Sequence, residues 1–301
     1  MLTLQNDRVK VKVHELGAEL KSMVCDGKEY IWQSCKEIWD KSSPLLFPIC
    51  GGLKDDKYTY NGKEYVMPKH GFGSSVSFTV EYADDKKAVL VHRSTAETKL
   101  CYPFDYELRI TYELKNTTLS ISYQVDYKSK EAMYFSIGAH EGYYTPEGIE
   151  NYDVVFPQNE TLNSYVLYGN LLSDQLLPII KDCNVLPLYE KYFTVDALVF
   201  KELKSKSAIL RSRTGGRTIK LDFEFAPYFL IWHKQNAPYI CLEPWDGVQD
   251  IVGSDYDITK KEGIIKLGRK FGKSDAEILA LLQEELEITE EQAKQVLEKY
   301  G

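Results

Sequence analysis

The sequence lacks several features that mark particular classes of protein. Its six cysteines form no CxxC pairs and follow no regular spacing, so neither a metal site nor a disulfide framework is expected. No apolar run approaches the roughly 20 residues that span a bilayer, and the N-terminus has no basic segment followed by an apolar one. These absences predict a cytoplasmic protein with reduced thiols, no bound metal and no membrane contact.

An excess of positive charge is also missing. The 37 lysines and arginines are outnumbered by 45 aspartates and glutamates, which gives a net charge of −8. This balance argues against a nucleic acid or an anionic membrane as the partner. Hydrophobic residues make up 44% of the 301 residues, a globular composition with ample material for a core. One large domain or two smaller ones would fit this length.

Apolar residues alternate with polar ones along much of the chain. The longest alternation reverses at Asn116-Thr117 and predicts a hairpin over residues 106–127, with the apolar positions Tyr106, Leu108, Ile110, Tyr112, Leu114, Leu119, Ile121, Tyr123, Val125 and Tyr127. Asp26-Gly27 and Asn61-Gly62 are pairs that supply the positive φ values of tight hairpin turns. Many strands with one buried face predict an all-β, antiparallel sandwich or barrel.

The pattern changes after residue 272. Residues 274–301 show helical spacing, with capping boxes formed by Ser274 with Glu277 and by Thr289 with Gln292. A helical hairpin is therefore predicted at the C-terminus. Two helices this short cannot bury enough surface to be stable alone, so the hairpin is expected to dock on the sandwich or on another subunit. The oligomeric state is left open by this pattern.

Two of the five histidines lie among glycines, which let the backbone approach a ligand closely. His70 precedes Gly71, and His140 lies between Gly138 and Gly142. Taken alone, each pattern fits a structural histidine as well as a functional one. Both histidines are therefore kept as candidates for a site.

Glu243 lies within an apolar segment, Ile240–Trp245. Burying an unpaired carboxylate is costly, so Glu243 requires either a partner or a chemical function. Pro244 pushes the residue before it into an extended conformation, which favours a strand end that presents Glu243. Trp245 offers a flat apolar surface that suits a sugar ring. A structural glutamate paired with a lysine or arginine remains an equal alternative from this segment alone.

Together and in this order, the segments resemble the aldose 1-epimerase, or galactose mutarotase-like, superfamily. The likeness is greatest for a branch of shorter bacterial proteins related to hexose-6-phosphate 1-epimerases. It extends over residues 1–268, and the matching positions are Leu16–Leu20, Leu46–Pro48, Lys69–Phe72, Gly138–His140, Asp196 and Cys241–Trp245.

The resemblance implies a large antiparallel β-sandwich, or supersandwich, for residues 1–268. The helical pattern described above predicts a C-terminal helical extension over residues 269–301. It implies an isomerase that interconverts the α and β anomers of an aldose without a cofactor or a metal. By position, Glu243 would be the catalytic base and His140 the catalytic acid. His70 and Asp196 would bind sugar hydroxyls, and Trp245 is expected to contact the sugar as well.

The chain departs from this branch at three positions. Gly52 and Ser74 stand where the branch commonly has arginines, which are natural partners of a phosphate. Their absence favours a neutral hexose over a sugar phosphate, unless Lys54 or Lys69 substitutes. Glu141 stands where a proline commonly follows the histidine. A carboxylate there would either raise the pKa of that histidine or indicate a site that has drifted from catalysis.

Two other functions stay open at this level. One is a regulatory or non-catalytic sugar-binding protein on the same fold. The other is a glycoside hydrolase that uses Glu243 and Asp196. Hydrolysis requires two carboxylates flanking one bond, and their separation cannot be read from the sequence. The hydrolase is therefore the least favoured of the three hypotheses.

Overall fold

A computed structural model describes residues 1–127, 131–194, 196–223 and 226–267 of the chain. The helical hairpin predicted within residues 274–301 lies outside these ranges and stays a prediction. In the described ranges, no helix has both the length and the apolar character needed to cross a membrane.

The N-terminal strands form two small antiparallel sheets. One sheet has the order β1-β2-β3-β4, with β1 (Leu2–Gln5), β2 (Val9–Val13), β3 (Leu20–Cys25) and β4 (Lys28–Glu29). The other pairs β5 (Lys57–Tyr60) with β6 (Lys63–Val66). Asp26-Gly27 and Asn61-Gly62 connect β3 to β4 and β5 to β6, all four with positive φ. Both predicted hairpin turns are confirmed.

The long hairpin predicted over residues 106–127 is also present. It belongs to a sheet of order β10-β9-β8-β7, built from β7 (Thr79–Ala83), β8 (Lys87–Arg93), β9 (Tyr106–Lys115) and β10 (Thr118–Tyr127). The short helix α1 (Ala96–Cys101), capped by Thr95, connects β8 to β9. Alternate residues of β9 are buried from Tyr106 to Leu114, as the period of two predicted.

The second half of the chain supplies the sheet that bears the candidate site. The strands in this half of the chain are β11 (Met133–Phe135), β12 (Ile137–Gly138), β13 (Glu141–Tyr144), β14 (Tyr152–Tyr168), β15 (Leu171–Pro187), β16 (Leu198–Lys201), β17 (Ser207–Ser212), β18 (Thr218–Asp222), β19 (Tyr228–Trp232), β20 (Tyr239–Asp246) and β21 (Ile265–Leu267). One sheet has the order β12-β20-β19-β16, and β13 also pairs with β20. Another has the order β15-β14-β17-β18, while β11 pairs with β21. Short 3-10 helices occupy Lys54–Asp56, Gly73–Ser75, Ile149–Asn151, Glu190–Phe193 and Ile258–Lys260.

The main hydrophobic core takes side chains from all four of the larger sheets. Val11 of β2, Leu108 of β9, Phe156 of β14 and Leu242 of β20 are examples, and each is almost fully buried. Fully burying a side chain of this size stabilises a fold by about 1.5–3 kcal/mol. Antiparallel sheets that share one core form a β-sandwich, so the predicted all-β architecture is confirmed for the described residues.

Candidate active site

Strand β20 separates the main core from the candidate site. Its residues Ile240 and Leu242 point into the main core. Because side chains alternate along a strand, Cys241, Glu243 and Trp245 lie on the opposite face. There Cys241 and Trp245 belong to two smaller apolar clusters, and Glu243 lies between them. The alternation along β20 therefore places this carboxylate among apolar residues on the face of the sheet that points away from the main core.

The strand register places His140 opposite Glu243. Gly138 of β12 pairs with Trp245, and Glu141 of β13 pairs with Leu242, so the intervening histidine faces the glutamate across the two strands. Its Nε2 atom lies 3.4 Å from Oε2 of Glu243. Two residues that are far apart in the sequence are thus held together by ordinary antiparallel pairing.

Pro244 explains why the ladder is interrupted beside His140. A proline has no N–H, so Pro244 cannot donate to the carbonyl of Ala139 across the strands. The indole N–H of Trp245 donates to that carbonyl instead, at 3.1 Å, while the Ala139 N–H donates to the carbonyl of Pro244. The backbone before His140 is thereby held on both sides.

Burial dominates the electrostatics of the pair. Glu243 is 1% exposed and His140 is 8% exposed. Both Glu243 oxygens and the His140 Nδ1 atom are buried without a hydrogen-bond partner among the described residues. Burial raises the pKa of Glu243 well above its usual value and lowers the pKa of His140 to about 3. An acid and a base that face each other in an apolar setting, without hydrogen bonds to other groups, are the components that proton transfer requires.

His70 lies next to the His140–Glu243 pair, and its hydrogen bonding defines its tautomer. Its ring centroid is 5.5 Å from that of His140 and 5.6 Å from that of Trp245. The Nδ1 atom accepts a hydrogen bond from the Gly51 N–H at 3.1 Å. Burial, with smaller effects from His140 and Lys69, lowers the pKa of His70 well below its usual value. A neutral ring that accepts at Nδ1 has its proton on Nε2, which is then a donor.

Asp196 precedes β16 and forms an ion pair with Lys69 at 3.9 Å. Burial is the main cause of the raised pKa of Glu243, and the charges of Glu141 and Asp196 add to it, whereas the charge of Lys69 opposes it. Asp196 has φ +92°, a conformation that residues other than glycine seldom adopt. The structure thus brings four of the predicted residues together, namely Glu243, His140, His70 and Asp196.

Trp245, the fifth predicted residue, is 2% exposed. Its ring packs edge-on against His70, and its indole N–H is bonded to the backbone as described above. These contacts support a role for Trp245 in holding His70 and the Ala139 backbone in place. Contact between Trp245 and a sugar stays a prediction.

An aromatic wall that no sequence pattern predicts lies beside His140. Trp39, from the loop after β4, and Trp232, at the end of β19, lie with ring centroids 5.3 Å and 5.6 Å from the His140 ring. They meet each other edge to face at 5.4 Å. The only trace of this contact in the sequence is Gly142 itself, and in the structure a Cβ at that position would lie 2.8 Å from the Trp39 ring.

Cys241 offers a third possible metal ligand at this site. Its sulfur, one His140 nitrogen and one Glu243 oxygen all lie within 4.8 Å of one another. Metal binding requires the thiolate, and burial raises the pKa of the Cys241 thiol well above its usual value. Binding by this set would therefore have to overcome an unfavourable deprotonation. Metal-free chemistry stays a prediction.

Comparison with known proteins identifies the family. Residues 1–250 match the family described as Aldose 1-epimerase. The chain belongs to the aldose 1-epimerase family. It is 32% identical over 262 residues to the plasmid-encoded protein LacX of Lactococcus lactis subsp. lactis. The aligned region covers 82% of this chain and 88% of LacX. This likeness fits the shorter bacterial branch.

Two solved structures resemble the chain closely enough to confirm the family fold. A galactose mutarotase-like protein from Lactobacillus casei has a TM-score of 0.84 at 31% identity, covering 89% of this chain and 95% of its own. A galactose mutarotase related enzyme from Lactobacillus acidophilus has a TM-score of 0.82 at 31% identity, covering 88% and 92%. The family and the fold point to an isomerase-type enzyme.

The structure explains one departure from this epimerase branch. Gly52 packs against the turn between β14 and β15, and a Cβ at position 52 would lie 2.7 Å from the Asn170 Cβ. An arginine there would displace this turn. Lys54, a possible substitute for that arginine, donates to the carbonyl of Ser254 and lies over the ring of Tyr256.

Glu141, the other notable departure, lies on the core side of the sheet. It alternates with His140, and its charge adds to the effect of burial in raising the pKa of Tyr112 and Tyr123 in the β9–β10 hairpin. Burial raises the pKa of Glu141 itself to about 7. The pKa of His140 is not raised beside Glu141, because burial lowers it and the charge of Lys69 lowers it further.

Proposed function

We propose that this chain is a mutarotase that interconverts the α and β anomers of a neutral hexose by acid/base ring opening. The observation that supports it most is the facing pair of His140 and Glu243, with Nε2 and Oε2 3.4 Å apart. Membership in the aldose 1-epimerase family supports the same reaction class.

In the proposed reaction, the Glu243 carboxylate takes the proton of the C1 hydroxyl while the His140 imidazolium gives a proton to the ring oxygen. The bond between C1 and the ring oxygen breaks, its electron pair goes to the ring oxygen, and a carbonyl forms at C1. After rotation about the C1–C2 bond, the reverse proton transfers close the ring on the other face. No electrons are exchanged with a second reactant.

The pair holds one exchangeable proton throughout this cycle. Burial favours the arrangement with a protonated Glu243 and a neutral His140, which is the arrangement reached after ring opening. The positive charge of Lys69 lowers the pKa of Glu243 and so favours the carboxylate that begins the reaction. Both arrangements have the same net charge, so ions need not enter or leave the buried site.

The neighbouring groups suit sugar hydroxyls. His70 has an Nε2–H to donate to a sugar oxygen, and the Asp196 carboxylate accepts from a hydroxyl. Gly52 and Ser74 take the place of the two arginines that would hold a phosphate. These residues support a neutral hexose as the substrate.

A sugar-binding protein without turnover is the second candidate. The low exposure of Glu243 and His140, 1% and 8%, favours it, because catalysis requires the sugar to reach both groups. NMR exchange spectroscopy on α-glucose and α-galactose separates the two functions. Binding with no acceleration of anomer exchange across a panel of neutral hexoses would leave the binding protein as the answer.

The Glu243→Gln variant tests the assignment of the base. It preserves shape but cannot accept the proton, so kcat should fall by about 10²-fold or more. Glu113→Gln, an exposed change on β9, is the matched control and should leave kcat unchanged. Turnover near the wild-type value in Glu243→Gln would remove Glu243 from the mechanism. Release of nitrophenol from nitrophenyl glycosides would favour a hydrolase instead.

A further inference from the structure

A buried ion pair lies behind the segment that contacts His70. The side chain of Lys261 is 2% exposed, and its ammonium donates to the carbonyl of Val248. The same ammonium lies 3.8 Å from Oδ1 of Asp250, which is also buried. Burial lowers the pKa of Lys261, and the charge of Asp250 opposes that effect. The charge of Lys261 is therefore stabilised in this buried position by Asp250.

Asp250 connects this pair to two other parts of the chain. Its Oδ2 atom accepts from the Lys54 N–H at 3.2 Å, and its own N–H donates to the Gly52 carbonyl at 2.9 Å. Its carbonyl accepts from the N–H of Leu172, at the start of β15, at 2.8 Å. The segment 51–54, the loop after β20 and the tip of the β14–β15 hairpin are thus bonded to one residue.

Gly51 transmits this arrangement to His70. A Cβ at Gly51 would lie 2.3 Å from the Cβ of Gln249, so the loop after β20 rests directly on this glycine. The Gly51 N–H donates to Nδ1 of His70 at 3.1 Å, and its carbonyl accepts from the His70 N–H at 2.8 Å. Movement of the loop would therefore break the bond that determines the His70 tautomer.

We propose that Lys261 and Asp250 are positioning residues for His70, because they hold the loop after β20 against Gly51 and so keep the His70 proton on Nε2. They act through Gly51 and do not contact the sugar. The expected effect on activity rests on the proposed function, whereas the effect on the His70 tautomer does not.

The test compares Lys261→Met with Lys260→Met. Met fills a similar volume without the charge, and Lys260 is an exposed neighbour that pairs with Asp255. In protein labelled with ¹⁵N-histidine, Lys261→Met should change the His70 nitrogen resonances from one tautomer to a mixture. Its KM should rise about 10-fold while kcat changes less than about threefold, the pattern of lost ground-state binding. Lys260→Met should match the wild type in each measurement.

A second variant is needed in case Lys261→Met leaves Asp250 unpaired and fails to fold. Lys261→Met combined with Asp250→Asn removes both charges and keeps an oxygen that accepts from the Lys54 N–H. A buried pair replaced by neutral groups of similar volume is usually tolerated. The double variant should also show mixed His70 tautomers and a raised KM.

A folded double variant with the wild-type His70 tautomer and wild-type KM would overturn the proposal. A wild-type protein with no mutarotase activity on any sugar would instead contradict the proposed function. In that case the ¹⁵N resonances of His70 would still decide whether Lys261 and Asp250 position this ring.

Discussion

The ammonium of Lys69 lies 3.9 Å from a carboxylate oxygen of Asp196, beside the titratable groups of the candidate site. Burial is the main influence on those groups, since it raises the pKa of Glu243 and lowers the pKa of His140 and His70. The charge of Lys69 lowers the pKa of all three groups. Lys69 thus opposes burial at the carboxyl and adds to its effect at the histidines.

Replacing Lys69 with Met should move the pH profile of kcat/KM. Without the positive charge, the pKa values of the Glu243–His140 pair rise, so both the acidic and the alkaline limbs should shift to higher pH. NMR exchange rates measured across the stable pH range provide the profile. Lys10→Met, an exposed change on β2, is the control. An unshifted profile in Lys69→Met would show that Lys69 does not act on the pair.

The local elements of this fold could be predicted from the sequence, because turn residues and alternation act within a few positions. Asp26-Gly27, Asn61-Gly62 and the hairpin at Asn116-Thr117 all appear where their patterns indicate. The approach of His140 to Glu243 is different, since it depends on a strand register between distant segments. Among the features of the sequence, only the family resemblance links these two positions.

Tertiary context explains what the sequence could not reveal. Lys260 and Lys261 are adjacent and alike, yet the first is exposed and the second is buried beside Asp250. The loop that bears Trp39 has no periodic pattern, so the sequence does not mark this residue. The glycine at position 142 predicts close approach of a ligand, whereas its neighbour in the structure is the Trp39 ring.

Gly142→Ala tests the link between that glycine and the site. The new Cβ would lie 2.8 Å from the Trp39 ring and 3.2 Å from the Ser42 carbonyl oxygen, so the ring that packs against His140 must shift. Overpacking of this kind costs about 1–3 kcal/mol of unfolding free energy. Urea unfolding measures the cost, and anomer exchange measures the accompanying loss of turnover.

The matched control for Gly142→Ala is Gly253→Ala, where no atom lies within 4 Å of the added Cβ. Its unfolding free energy and turnover should remain those of the wild type. If Gly142→Ala also behaved like the wild type, Trp39 would have to be free to shift without affecting His140. The aromatic wall would then have no part in holding the acid.

The buried carboxyl of Glu141 should make stability depend on pH. Burial raises its pKa from the usual 4.5 to about 7 in the folded protein. At pH values below 4.5 the group is protonated in both the folded and unfolded states. As the pH rises from 4.5 to about 7, the unfolded state loses its proton first, so the unfolding free energy falls.

Glu141→Gln removes this titration while keeping a similar shape on the core side of the sheet. At about pH 8 the variant should be more stable than the wild type by about 3 kcal/mol, and near pH 4.5 the two should be alike. Urea unfolding at both pH values measures the difference, with Glu113→Gln as the exposed control. The stability difference between Glu141→Gln and the wild type could instead be the same at both pH values. That result would mean that folding does not raise the pKa of Glu141, because a partner stabilises its carboxylate against burial.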